Sequence, residues 1–187
     1  MIHSKLTEAL FRPRRVALVG ASANRNKATS RAQRYLVRHG YDGNIYPINP
    51  YHSKIFGKTS YARLSDVPQE IDHAFITVGK EATFQAVRDC VALGIPCATL
   101  LAGGFAETGP AGATRQAELV KIAKTGGLRL LGPNSIGMIN VSDRTVLSAN
   151  AMLDLPNLKA GSLSVVSQSG SLIGALLSHG AAHGTGF

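Results

Sequence analysis

Short apolar runs recur along the chain: RVALVG at 15–20, NIYPI at 44–48, HAFITV at 73–78, CATLLA at 97–102 and LRLLG at 128–132. Each is continuous rather than alternating, as a strand buried on both faces requires. Helical spacing separates most of them. Thr29 or Ser30 can cap a helix running to His39, with Ala32, Tyr35 and Leu36 on one face and Gly40 as its stop. The same plan predicts a helix from Lys80 to Leu93, with Phe84, Val87 and Val91 on one face, ended by Gly94. A third runs from about Pro110 to Lys124, with proline suited to its first turn. The stretch GKTSYARLSDVPQEID is too short for a long helix. Strands alternating with helices predict an open, parallel, doubly wound α/β sheet of Rossmann-like type.

In such sheets ligands bind beyond the carboxyl ends of the strands. That rule selects Gly20, Ala21 and Ser22; Asn49 and Pro50; Val78 and Gly79; Gly103, Gly104 and Phe105; and Pro133, Asn134 and Ser135. After Asn140 the pattern changes. VSDRTVLSANAMLDLPNLKAGSLS lacks a helical period and contains Pro156 and Gly161, which predicts a hairpin or extended connector. SLSVVSQSGSLIGALLSHGAAHG then restarts the theme, with a strand through Val166, a Ser-Gly turn and a helix from about Ser169. The expected division is a nucleotide-type domain over 8–145, a connector over 146–161, and the first strand and helix of a second, flavodoxin-like domain over 162–187. One strand and one helix cannot bury their own apolar surface, so the second domain is expected to be incomplete and the chain to associate.

Charge sharpens the choice of ligand. Residues 1–58 hold eleven of the twenty Lys and Arg and only Glu8 and Asp42 as acids, a surplus equal to that of the whole chain. The cations are interleaved with strand and helix signals, aromatics are few, and Trp is absent. An anionic small molecule is therefore expected in preference to nucleic acid. No run reaches the ~18 apolar residues of a membrane helix. No signal-peptide pattern opens the chain, and two isolated cysteines, Cys90 and Cys97, suit a reducing cytoplasm.

VALVGASANRNK, at 16–27, does not complete the G-x-G-x-x-G dinucleotide fingerprint, since Ser22 and Arg25 stand at its second and third glycines. The acid that would take a ribose hydroxyl after the second strand is Asn49. Arg25, Lys27, Thr29 and Ser30, with Lys54 and Lys58, suit a pyrophosphate ligand carrying a further ribose phosphate. NADP and coenzyme A both meet that description. Lys54 and Lys58 also read as ordinary solvated lysines, and Arg31, Arg34 and Arg38 as the solvated face of the first helix.

LFRPRRVALVGASANRNKATSRAQRYLVRHGYDGNIYPINP, GGFAETG and LRLLGPNSIGMIN, in this order, resemble the CoA-binding domain of NDP-forming acyl-CoA synthetases. That group includes the ADP-forming acetate–CoA ligases and is related to the succinyl-CoA ligase α subunit. GSLSVVSQSGSLIGALL resembles the start of the group's next domain, so the likeness spans essentially the whole chain. It implies a ligase interconverting acyl-CoA, phosphate and ADP with carboxylic acid, CoA and ATP through acyl phosphate and phosphohistidine. By the same resemblance CoA contacts fall on Gly20, Ala21, Ser22, Lys27, Asn49, Pro50, Val78, Gly103, Gly104 and Phe105, to which the charge reading adds Lys54. Asn134 and Ser135 fall near the pantetheine end. Ser169, Gly170 and Ser171 match a helix start that faces phosphate or phosphohistidine, although Ser169 also reads simply as a helix cap.

Departures are visible at Thr29–Ser30, where the group often has two glycines, at Gly79 for proline, and at Ser135 for cysteine. The resemblance places the phosphohistidine beyond Phe187, and ATP, ADP and Mg in ATP-grasp parts farther on or on another subunit. The isolated chain is then expected to bind CoA or acyl-CoA without completing ligation. His179 and His183 stand four apart, but HGAAH has no Glu and no third ligand nearby, so no metal is expected. His39 and His73 read as structural. Two other readings stay open: a non-catalytic CoA- or nucleotide-binding regulator, and an NADP-dependent oxidoreductase.

Overall fold

The computed structural model describes residues 2–155 and 158–187, so Pro156 in the expected connector lies outside the described residues. The elements follow in order as α1 (Ile2–Phe11), β1 (Arg15–Val19), α2 (Arg31–Arg38), β2 (Asn44–Ile48), β3 (Lys54–Ile55), β4 (Lys58–Thr59), β5 (His73–Ile76), α3 (Lys80–Ala92), β6 (Cys97–Leu100), α4 (Pro110–Thr125), β7 (Arg129–Leu131), β8 (Gly137–Asn140), β9 (Thr145–Ser148) and α5 (Gly170–Ala182). Five strands form one parallel sheet in the order β2-β1-β5-β6-β7. The chain leaves β1 toward β2 and returns to β5 on the other side. The strand order therefore switches between β1 and β5, beside the turn that follows β1.

Strand residues divide alternately between two faces. Ala17, Val19, Ala74, Ile76, Ala98 and Leu100 pack with α3 and α4, through Val87, Cys90, Leu119 and Ala123. Val16, Leu18, Ile45 and Phe75 pack on the opposite face with Ala32 and Leu36 of α2 and with Leu147 and Ala149 at the end of β9. Continuous apolar strands are what such double coverage demands. Gly40 and Gly94 take positive φ, +75° and +64°, just past α2 and α3, the left-handed stop expected of glycine.

Four expectations change. Ser30 precedes α2 but does not cap it with its side chain. Its buried hydroxyl instead donates to the carbonyls of Lys27 (2.8 Å) and Arg25 (3.2 Å), tightening the preceding loop. The three arginines of α2 are not a free solvated face. Arg31 donates to the Ala149 carbonyl at 3.0 Å, while Arg34 and Arg38 reach the Asp154 carboxylate at 2.8 and 3.3 Å. The expected hairpin forms, as β8 and β9, but it begins before Asn140 and is buried along β9, so a boundary after 145 cuts through a strand. Finally, no strand forms through Val166: residues 163–167 join no ladder, with Leu163, Val165 and Val166 exposed. A strand exists only through a neighbour's ladder, and among the described residues none lies alongside.

The helix expected from Ser169 is present as α5, with the Ser169 hydroxyl accepting the Leu172 N–H at 3.2 Å. It docks through Leu177 and Ile173 on Tyr35, Val146 and Leu153, forming a third cluster that ties the C-terminal segment to α2 and β9. Cys90 and Cys97 are unpaired and buried, and burial pushes both thiols up to about 12. Among the described residues no helix is long and apolar enough to cross a membrane.

His73 is wholly buried at the start of β5, under α1. Its Nδ1 lies 3.1 Å from the Ala9 carbonyl and its Nε2 2.8 Å from the Thr99 hydroxyl. A carbonyl only accepts, so Nδ1 carries the proton and Thr99 donates to Nε2. Burial lowers this imidazole to about 4. The unfolded chain takes up the proton near pH 6.5, so His73's contribution is full above that pH and is lost as pH falls from 6.5 to 4. Chemical denaturation across that interval should show a loss of roughly 2–3 kcal/mol attributable to this residue. His73→Gln should flatten the slope; an unchanged pH profile would remove His73 as its source.

Candidate functional site

The turn after β1 is built by side chains rather than by successive glycines. Gly20 alone takes a positive φ, +85°, and its N–H donates to the Ile48 carbonyl at 3.0 Å. Ser22 Oγ accepts the Asn24 N–H at 3.1 Å, and Asn24 Oδ1 accepts the Asn26 N–H at 2.9 Å. These bonds supply the local closure that further glycines would otherwise make possible. The Ser30 hydroxyl is consumed in the same loop, so it neither narrows the mouth of the turn nor offers it a donor.

Asn49 couples the second turn to the first. Its Nδ2 donates to the Ala21 carbonyl at 2.8 Å and its Oδ1 accepts the Tyr51 N–H at 2.8 Å. Both ends of the amide are occupied, so Asn49 acts in shaping the edge, with Pro50 exposed beside it. Val78 is half-buried against Gly20: a Cβ at position 20 would lie 2.7 Å from Val78 Cγ1 and 3.0 Å from Thr77 Oγ1.

The fourth and fifth turns also meet. A Cβ on Gly103 would fall 3.8 Å from Asn134 Oδ1. Gly104, at φ +92°, donates its N–H to Glu107 at 2.5 Å and accepts from Arg115 at 2.6 Å. That backbone donor, first among its surroundings, holds the exposed Glu107 carboxyl below its ordinary range. The Phe105 ring is fully buried and packs against Phe84 with centroids 6.5 Å apart. Only its backbone is left to face a ligand. Pro133 follows a cis peptide, Asn134 stands at φ +54°, and the N–H groups of Asn134 and Ser135 donate to Ala102 and Leu100.

Ile136, next to Ser135, carries the edge to the start of α5: a Cβ on Gly170 would lie 2.9 Å from its Cδ1. Asn150 donates to the Gly170 carbonyl at 3.1 Å. Ser169, Gly170 and Ser171 are thus brought beside the fifth turn, whereas Lys54 stays exposed on the β3–β4 ribbon and joins none of these contacts. Sequence reasoning missed Lys80, whose stem crosses Gly104, and Glu107, Arg115 and Asn150. A signal existed for Glu107, which stands three residues after Gly104 in GGFAETG.

Ion pairing differs between the cations that flank the start of β1 and those that follow its end. Before and at the start of β1, Arg12 pairs with Asp143, Arg14 with Asp42 and Arg15 with Asp72, each within 2.9 Å. After it, Arg25, Lys27, Lys54 and Lys58 are exposed and, among the described residues, form no ion pair. The Arg25 guanidinium lies over the Phe56 ring instead, 5.2 Å from its centroid. His39 meets the Leu153 carbonyl and the His179 and His183 rings stack 4.3 Å apart, while His52 lies exposed three residues past Asn49. Among the described residues no group of three or more His, Cys, Asp or Glu is arranged to hold a metal.

A family model for a CoA binding domain matches residues 14–141. The acetate–CoA ligase [ADP-forming] II of Archaeoglobus fulgidus is 32% identical over 168 residues, covering 90% of this chain and 24% of the relative. The α subunit of acetate–CoA ligase [ADP-forming] I from Pyrococcus furiosus is 34% identical over 169 residues, covering 88% and 36%. Among solved structures, the dinucleotide-forming acetyl-coenzyme A synthetase 1 of Ca. Korarchaeum cryptofilum, in complex with phosphate and ADP, superposes with a TM-score of 0.89 at 33% identity. That match covers 96% of this chain and 38% of the other. The chain therefore spans about a quarter to a third of the relatives it matches.

The crowding at Gly20 sets a direct test. Gly20→Ala must place a Cβ against Val78 at a φ alanine rarely adopts, a cost on the order of 1–3 kcal/mol. A lower melting temperature with reduced ligand affinity is expected. Wild-type values for both would mean that the turn relaxes freely.

Proposed function

The chain belongs to the CoA-binding domain family, and from that premise we propose that it is the CoA- or acyl-CoA-binding portion of an ADP-forming acyl-CoA synthetase. The observation that carries this reading is the set of unpaired cations beside the turn at the strand-order switch. A pyrophosphate with a further ribose phosphate is a ligand whose charge such an edge can neutralise. Lys27 and the turn at Gly20, Ala21 and Ser22 take the pyrophosphate end. Lys54 supplies charge at the rim, and Gly103, Gly104, Asn134 and Ser135 line the way toward the thiol. Ser169, Gly170 and Ser171 add a helix N-terminus suited to phosphate or a phosphorylated side chain.

Phosphoryl transfer to ADP is assigned to other parts of the larger enzyme, joined to this chain or on an ATP-grasp subunit. The location of His39 and His73 in structural bonds supports that assignment, since neither is free to carry phosphate. Leu163, Val165 and Val166, apolar and exposed, suit the first strand of a further domain, and their exposure favours association. Two unpaired buried thiols suit a cytoplasmic setting. Nucleic acid is disfavoured by the lack of an aromatic series among the cations.

Calorimetric titration with CoA, dephospho-CoA and NADPH at two salt concentrations tests the reading. CoA should bind, dephospho-CoA about tenfold more weakly, and added salt should weaken CoA further. Lys27→Ala should cost about fivefold to tenfold in CoA affinity while leaving the melting temperature unchanged. A folded chain that ignores CoA, or prefers NADPH, would overturn the proposal. Acyl-CoA formation by the isolated chain would overturn the assignment of phosphoryl transfer to other parts.

A further inference from the structure

We propose that Arg34 is a positioning residue that holds the ligand-binding loop at 22–27 in register with the segment leading to α5. The inference rests on the reading of that loop as the CoA pyrophosphate site. Arg34 lies on α2 with its side chain 21% exposed. One guanidinium nitrogen, Nη1, donates to the Arg25 carbonyl at 3.0 Å; the other, Nη2, donates to Asp154 Oδ1 at 2.8 Å. The guanidinium also lies over the Tyr35 ring, 5.7 Å from its centroid. A planar fork held at three points fixes the distance between the two segments it joins.

Both segments are themselves anchored. The Arg25 carbonyl also accepts the Ser30 hydroxyl, which closes the loop just before Lys27. On the other side, Asp154 ends a short 3₁₀ turn, Ala151–Asp154, begun by the Asn150 cap on the Met152 N–H. Leu153 in that turn is fully buried, and Asn150 also donates to the Gly170 carbonyl at the start of α5. A continuous path of hydrogen bonds and packing thus runs from the loop through Arg34 and Asp154 to the N-terminus of α5. Arg38 shares Asp154 but has no contact with the loop.

Arg34 bonds both sides of the gap, and a lysine would present one nitrogen where two separate acceptors wait. A ligand that orders the loop therefore favours the docked position of the turn at 151–154, and loss of docking weakens the ligand by the same factor. Residues that never touch the ligand acquire a measurable effect on its affinity.

The test titrates CoA into the 187-residue chain, below the melting temperature of every variant, and follows amide exchange over 22–30. Asp154→Ala and Arg34→Lys should each weaken CoA about fivefold to tenfold and speed exchange in the loop. The double variant should be no weaker than either single one, and Asp154→Glu should recover most of the affinity. Arg38→Ala should leave CoA affinity within about twofold of wild type, since Arg34 still joins Asp154 to the loop when Arg38 is gone. Unchanged affinity in folded Asp154→Ala, or additive losses in the double variant, would overturn the proposal. Should Asp154→Ala fail to fold, Arg34→Lys carries the same decision. If wild type itself does not bind CoA, the functional reading fails, and loop exchange alone decides: rates in Arg34→Lys equal to wild type would overturn the strut.

Discussion

Between the ends of β1 and β5 the backbone of Gly20 lies so close to Val78 and Thr77 that a side chain at position 20 would have to occupy their space. That approach depends on β5 pairing directly with β1, which in turn depends on the chain crossing β1 after β2. The edge assembled there follows from the same constraint. Asn49 reaches the Ala21 carbonyl only because β2 flanks β1 on its other side, and Val78 closes the crevice because β5 ends level with the turn.

With the backbone so placed, side chains supply what a glycine-rich loop would otherwise provide. Ser22, Asn24 and Ser30 each bond to main-chain groups of the loop, leaving the charged residues Arg25 and Lys27 to face outward. Arg12, Arg14 and Arg15 before and at the start of β1 pair with Asp143, Asp42 and Asp72, whereas Arg25 and Lys27 after it form no ion pair among the described residues.

The C-terminal segment joins the same body rather than standing apart. Leu153, Leu177 and Val146 share a cluster with Tyr35, and Asp154 gathers the arginines of α2. Such an arrangement makes α2 the common wall of two regions: its Ala32 and Leu36 face the sheet, and its Tyr35, Arg34 and Arg38 face the connector. Residues 163–167 remain outside this packing, with their apolar side chains toward solvent.

By itself the sequence determined the parallel α/β class, five strand positions and four of the long helices, because apolar period and Gly or Pro punctuation are local properties of the chain. The strand-end candidates were legible for the same reason, since doubly wound topology converts a strand's end into a ligand-facing position. The tertiary structure alone decided what those residues do there. Phe105 and Val78 both follow apolar runs, yet one ring is buried against Phe84 while the other side chain meets Gly20. The arginines of α2 have the spacing of a solvated face, and only the fold brings Asp154, more than a hundred positions away, against them. The LSVVS run at 163–167 is indistinguishable in sequence from a paired strand, because a strand's existence is settled by the neighbour that bonds to it and not by the residues it contains.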